Sequence, residues 1–84
     1  MGKSSIEIKL PELGKEVEEA TVSFWYQEEG EDVEKDEELL EIVTDKAVFK
    51  VKAPVSGRLS KILVGENEKV KIGDILGIIE SEVI

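Results

Sequence analysis

The sequence predicts an all-β domain, a small sandwich or barrel built from two similar halves. Three observations predict it. Apolar residues recur with the period of strands: Ile6, Ile8 and Leu10 alternate with Glu7 and Lys9, and Phe49, Val51 and Ala53 alternate with Lys50 and Lys52. Turn-forming residues punctuate the chain at short intervals, at Pro11, Gly14, Gly30, Pro54, Gly57, Gly65-Glu66-Asn67 and Gly73-Asp74. The chain also repeats itself weakly: shifted by 37 residues, Thr21–Asp45 lies over Arg58–Glu82.

Residues 1–5 carry no apolar pattern and are read as a flexible segment; the domain runs over 6–81, and 82–84 form its end or the start of a linker. The first strand covers Ile6 to Leu10. Thr21 to Gln27 is rich in β-branched and aromatic residues, as strands are. Glu34 to Glu41 contains good helix formers, but Leu39, Leu40, Ile42 and Val43 do not continue a helical stripe, so at most one helical turn is expected before a strand over Leu39–Thr44. Further strands cover Phe49–Ala53, Leu59–Val64 and Ile75–Ile79.

In the repeat register Val33 falls on Val70, Leu39 on Leu76 and Ile42 on Ile79. Ser23, Glu29 and Glu31 fall on Ser60, Glu66 and Glu68. Gly30 falls on Asn67 and Asp36 on Gly73, all residue types that tolerate positive φ. Both halves can therefore make the same tight turns with different residues, and Gly30, Gly57, Asn67 and Gly73 are the expected structural turn positions. Two such halves about a pseudo-twofold axis close on themselves and hide most strand edges.

Composition removes whole classes of function. The 84 residues fit one domain. Without His or Cys there is no Ser-His-Asp triad, no Cys-His pair, no disulfide and no His- or thiolate-based metal site. The 20 acidic residues lie along turns and strand ends rather than at apolar positions, which reads as a solvated surface and not an acid/base pair. No catalytic residues are assigned. The net charge of −9 repels a phosphate backbone and an anionic membrane alike, so neither is expected as a partner. It suits a partner with a basic docking face, or solubility alone. No apolar run approaches the about 18 residues of a membrane span, and Met1-Gly2-Lys3-Ser4-Ser5 does not open a secretory signal. The expected compartment is the cytoplasm, or a mitochondrial matrix if a transit peptide has been removed.

The centre of the repeat carries the chemistry. The first half ends at Thr44-Asp45 and the second begins at Lys46-Ala47, with apolar strand residues Ile42 and Val43 before and Val48 and Phe49 after. The chain must reverse here, and Asp-Lys is acceptable at the centre of a tight turn. Lys46 thus stands at a hairpin apex.

With that turn the chain resembles the lipoyl domains of the dihydrolipoyl acyltransferase subunits of 2-oxo acid dehydrogenase complexes, from about Ile6 to Glu80. Lys9-Leu10-Pro11-Glu12-Leu13-Gly14 is similar to the family's opening strand and loop, and Trp25 with Glu29-Gly30-Glu31 to its second strand and turn. Glu41-Ile42-Val43-Thr44-Asp45-Lys46-Ala47 resembles the modification hairpin, and Ala53-Pro54-Val55-Ser56-Gly57 the turn into the second half. Gly30, sixteen residues before Lys46, and Gly57, eleven after it, are in the family's frame. Asp36 and Asn67 stand where family members often have Gly.

The resemblance implies a flattened barrel of two four-stranded antiparallel sheets, with the termini together on one sheet and the lysine turn at the far end of the other. It implies lipoate in amide linkage to Lys46, added by a lipoate ligase or lipoyltransferase, with Thr44, Asp45 and Ala47 as the recognition flank. Asp45 serves in recognition or as a turn residue accepting backbone hydrogen bonds; recognition is favoured. The loop of Gly14, Lys15, Glu16, Val17 and Glu18 resembles the segment that lies near the lysine turn and helps the decarboxylase recognise its carrier, though an ordinary solvated loop reads equally well. Trp25 is expected in the core. The implied partners are a thiamine-dependent 2-oxo acid decarboxylase, an acyltransferase core and dihydrolipoamide dehydrogenase, the carrier itself being monomeric and non-catalytic. Three rivals remain: a biotin carrier, against which the flanks of Lys46 argue because biotin carriers typically place Met on both sides of their lysine; a glycine-cleavage-type lipoyl carrier, a longer family; and an unmodified barrel-sandwich interaction module.

Overall fold

The computed structural model describes residues 2–83. Eight strands follow in chain order: β1 (Gly2–Lys9), β2 (Glu19–Trp25), β3 (Asp32–Val33), β4 (Glu38–Val43), β5 (Val48–Lys52), β6 (Gly57–Ile62), β7 (Lys69–Lys71) and β8 (Ile75–Val83). They form two four-stranded antiparallel sheets ordered β1-β8-β6-β3 and β5-β4-β2-β7. This is the all-β architecture expected from the alternating pattern. The helical turn expected within Glu34–Glu41 is a single tight turn instead, in which the Glu37 amide donates to the Glu34 carbonyl before β4 begins.

Two strands were invisible to periodicity. β3 and β7 bury one residue each, Val33 and Val70, between charged neighbours, too little to register as alternation. The flexible segment expected over 1–5 is corrected within the described residues: Gly2, Lys3, Ser4 and Ser5 pair with Val83, Glu82, Ser81 and Glu80 as a continuation of β1 against β8. A backbone ladder needs no apolar side chains, which is why the pattern of residues 2–5 gave no sign of it. Met1 lies outside the described residues.

The repeat is structural. Advancing by four strands carries β1, β2, β3 and β4 onto β5, β6, β7 and β8, and one sheet order onto the other. The Gly30 amide donates to the Leu59 carbonyl, and the Asn67 amide to the Val22 carbonyl, both at 2.7 Å. The Asp36 amide donates to Ala53, and the Gly73 amide to Leu10. Glu31 and Glu68 each return a carboxylate to the amide three residues before, Glu28 and Gly65. All four turn positions have positive φ: Gly30 at 92°, Asp36 at 72°, Asn67 at 71° and Gly73 at 91°.

An L-residue in this region costs about 1–2 kcal/mol, while glycine costs roughly 0.5–1 kcal/mol more in chain entropy. Asp36→Gly is therefore expected to leave stability unchanged or raise it by up to about 1 kcal/mol, whereas Asp36→Val, whose branch crowds the backbone, loses about 1–2 kcal/mol. Urea unfolding midpoints check both.

Gly57 is not the turn glycine that was expected. It opens β6 without positive φ, and its lack of a side chain serves a close approach to the backbone of β8 at Glu80.

The core is apolar throughout, with Val22, Leu39, Leu40, Ile42, Leu59, Leu76 and Ile79 fully buried. Leu39 and Leu40 are consecutive, and a regular strand would send one of them outward. A bulge between Glu38 and Leu40 turns both inward. Trp25 packs against this core. Its ring reaches the other sheet above Gly77, where an added Cβ would sit 3.2 Å from Trp25 Cη2, and its Nε1 donates to the Val64 carbonyl at 2.8 Å. Trp25→Phe leaves that carbonyl without its partner and is expected to cost about 1–3 kcal/mol, read as a lower unfolding midpoint at unchanged m-value.

Candidate functional site

β4 and β5 pair in register from Leu40–Val51 to Val43–Val48, and a two-residue loop joins them. The Thr44 amide donates to the Ala47 carbonyl at 2.9 Å and closes the loop around Asp45 and Lys46. The Thr44 hydroxyl accepts from the amides of Lys46 (3.2 Å) and Ala47 (3.1 Å). Lys46 is thus at the apex, as the sequence implied, with its side chain 77% exposed.

Asp45 makes no side-chain hydrogen bond among the described residues. Of its two candidate roles, satisfying the turn's amides is performed by its neighbour Thr44. The Asp45 carboxylate is exposed and available beside the lysine.

The loop after β1 comes to the same place. Lys46 Nζ stands 3.9 Å from Glu16 Oε2. Both side chains are largely exposed, and such a pair adds little stability; it marks proximity and does not hold the loop. Backbone bonds do that: the Val17 amide donates to Gly14, and the Ile72 amide to Glu18. Gly14, Lys15, Glu16, Val17 and Glu18 form one wall of an open cleft of about 1170 Å³, with the lysine turn as the other.

The cleft also has a floor that sequence reasoning missed. Thr21 pairs with Val43 on one side and with Lys69 on the other, so the outer face of this sheet carries them in one row toward the turn. Lys71 follows opposite Glu19. The only signal for β7 was Val70 falling on Val33 in the repeat. The expected structural positions Gly30, Gly57, Asn67 and Gly73 lie outside the cleft lining.

The site sits at one pole. β1 runs from its pairing with Val83 at Gly2 to Lys9, and the loop that follows it reaches Lys46. An eight-residue strand covers about 27 Å, so the β1–β8 ends and Lys46 lie toward opposite ends of a body 43 Å long.

Comparison with known proteins returns one family of carrier modules. The family model described as biotin-requiring enzyme, covering biotin and lipoyl attachment, matches residues 6–79. The chain is 43% identical over 75 residues to the dihydrolipoyllysine-residue succinyltransferase component of the 2-oxoglutarate dehydrogenase complex of Bartonella vinsonii subsp. berkhoffii, covering 89% of this chain and 18% of that protein. It is 37% identical over 73 residues to the dihydrolipoyllysine-residue acetyltransferase component of the pyruvate dehydrogenase complex of Corynebacterium glutamicum, covering 87% of this chain and 11% of that one. The chain thus spans under a fifth of the length of these curated relatives. The solution structure of the lipoyl domain of the 2-oxoglutarate dehydrogenase complex from Azotobacter vinelandii superposes with a TM-score of 0.72 at 35% identity, covering 92% of this chain and 96% of that one.

Proposed function

The chain belongs to the biotin/lipoyl attachment family as a lipoyl domain, and from that premise we propose that it is a carrier whose cofactor is attached at Lys46. The observation that carries this reading is the apex itself: one lysine of ten stands at the tip of a hairpin between two paired strands, with its amine in solvent and an open cleft beside it. Amide formation needs an unencumbered amine at a reproducible position, and this lysine has both.

Lipoate in amide linkage to Lys46 Nζ supplies a dithiolane able to carry acyl groups and electrons. The chain's own residues display it. Strands β4 and β5 fix the point of attachment, Thr44 closes the turn, and the exposed Asp45 carboxylate together with Ala47 gives the modifying enzyme a local mark. Loss of the lysine charge takes the net charge from −9 to −10. The loop Gly14–Glu18 is placed to be read together with the lysine tip by the thiamine-dependent decarboxylase that loads the carrier. The acyltransferase core and dihydrolipoamide dehydrogenase complete the set of partners, and the domain itself catalyses nothing. A succinyltransferase relative at 43% identity supports service in a 2-oxoglutarate dehydrogenase complex.

Intact-mass spectrometry after incubation with a lipoate ligase, lipoate and ATP tests this. A single lipoyl adduct is expected. No adduct on folded protein transfers the assignment to the biotin carrier or the unmodified module, between which a biotin ligase decides.

A further inference from the structure

We infer that Thr44 is a positioning residue for modification of Lys46, an inference that rests on the reading of Lys46 as the modified residue. A hydroxyl offers one donor and two acceptor sites, and Thr44 Oγ1 uses all of them inside the turn. It accepts from the Lys46 amide at 3.2 Å and from the Ala47 amide at 3.1 Å, and it donates to the Ala47 carbonyl at 3.3 Å. The Thr44 amide adds a bond of 2.9 Å to that same carbonyl. One residue therefore supplies four of the bonds that close the loop, and one of them ends on the backbone nitrogen of Lys46 itself. Among the described residues no other side chain bonds the backbone of this turn.

Without the hydroxyl, the β4–β5 ladder would still bring the strands together, and the Thr44–Ala47 backbone bond would still reverse the chain. What would be lost is a single conformation at Asp45 and Lys46, because the amides of Lys46 and Ala47 would turn to water. An enzyme that finds its lysine by position then meets a competent tip only part of the time, and apparent affinity falls in proportion to that fraction. Once bound, the amine is oriented by the enzyme's own site. The cost therefore falls on KM for the domain and spares kcat. The β-branch of Thr44 restricts χ1 and keeps the hydroxyl over the turn; serine keeps the hydroxyl without that restriction.

Initial rates with lipoate ligase, lipoate and ATP over a range of domain concentrations test the inference, for wild type, Thr44→Val, Thr44→Ser and Lys46→Ala. Thr44→Val keeps the shape and the branch. It is expected to raise KM for the domain about tenfold with kcat within about threefold, while Thr44→Ser returns KM to within about threefold of wild type. A valine variant with wild-type KM overturns the inference. So does a serine variant as poor as valine, since packing and not the hydroxyl would then matter, and so does global unfolding of the valine variant. Solvent exchange of the Lys46 and Ala47 amides, read by NMR on unmodified protein, supplies a measurement independent of the ligase. It is expected to be faster in Thr44→Val at these two amides with β4 and β5 unchanged, and equal exchange overturns the inference. Failure of wild type to accept lipoate, or an adduct on Lys46→Ala, instead refutes the reading of Lys46 and leaves the exchange comparison to decide the role of Thr44.

Discussion

Replacing Lys46 with alanine is expected to abolish the lipoyl adduct and to leave the melting temperature within a few degrees of wild type. The two halves of this expectation have separate physical grounds. The side chain is 77% exposed, and its ammonium pairs with Glu16 through a solvated contact of 3.9 Å. Its removal costs the fold little, since surface substitutions away from special features usually lie within about 0.5 kcal/mol. The turn is held by the backbone of Thr44, Lys46 and Ala47 and by the Thr44 hydroxyl, and alanine keeps every one of those bonds. Attachment fails completely, because the amine that forms the amide is gone. Lys46→Arg sharpens the test: charge and length are retained, but a guanidinium does not acylate, so the adduct is again expected to be absent. Of the other lysines, Lys50 and Lys52 lie within β5 and Lys69 and Lys71 within β7, while Lys15 and Lys35 stand on turns that link strands of different sheets and not on a hairpin between paired strands. Intact mass reads the outcome directly. A persisting adduct on either variant would move the site to another lysine and sink the assignment.

The largest expected loss of stability follows Gly57→Ala. An added Cβ would run into the Glu80 carbonyl oxygen and stand 2.8 Å from Ile79 Cγ2. Neither neighbour can retreat. β8 is an inner strand paired to β1 on one side and to β6 on the other, and Ile79 is fully buried in the core. Overpacking against such a backbone costs about 3 kcal/mol, which a domain of this size feels as a fall in Tm of roughly 10–20 °C. Gly65→Ala is the control: its added Cβ meets only the flexible Glu68 carboxylate at 3.4 Å, and it is expected to change stability by less than about 0.5 kcal/mol. Thermal and urea unfolding of the two variants should separate clearly. A Gly57→Ala domain melting beside the control would mean that β6 and β8 can part at this point without penalty.

The strands with long alternating or β-branched runs were legible in the sequence because each buries several residues of one face. β3 and β7 were not, because each buries one valine and is defined by its neighbours. The turns were legible through the repeat: Asp36 and Asn67 do adopt the positive φ that glycine takes in the matching half. Gly57 was found for the wrong reason, since a close approach across a sheet leaves no local signature. The pairing of Trp25 with Gly77 was missed for the same cause; the residues are 52 apart in sequence and meet only between the sheets. At the site, Lys46 was legible from its place between two apolar strands. The division of labour between Thr44 and Asp45 was not, because both residue types can cap a turn and only the observed bonds tell which one does.

The pairing of β1 with β8 bears on how the chain can be made. Of the eight strands, the first to be made finds its partner in the last, and each sheet draws two strands from either half of the domain. Neither half of the sequence owns a complete sheet: β5-β4-β2-β7 has all its strands once β7 is made, but β1-β8-β6-β3, against which it buries its core face, waits for β8. Contacts of this range close late and tie folding speed to the whole length of the chain. Synthesis therefore has to run through β8 before the lysine hairpin rests on a finished scaffold, and the modifying enzyme meets a folded tip only on a completed domain.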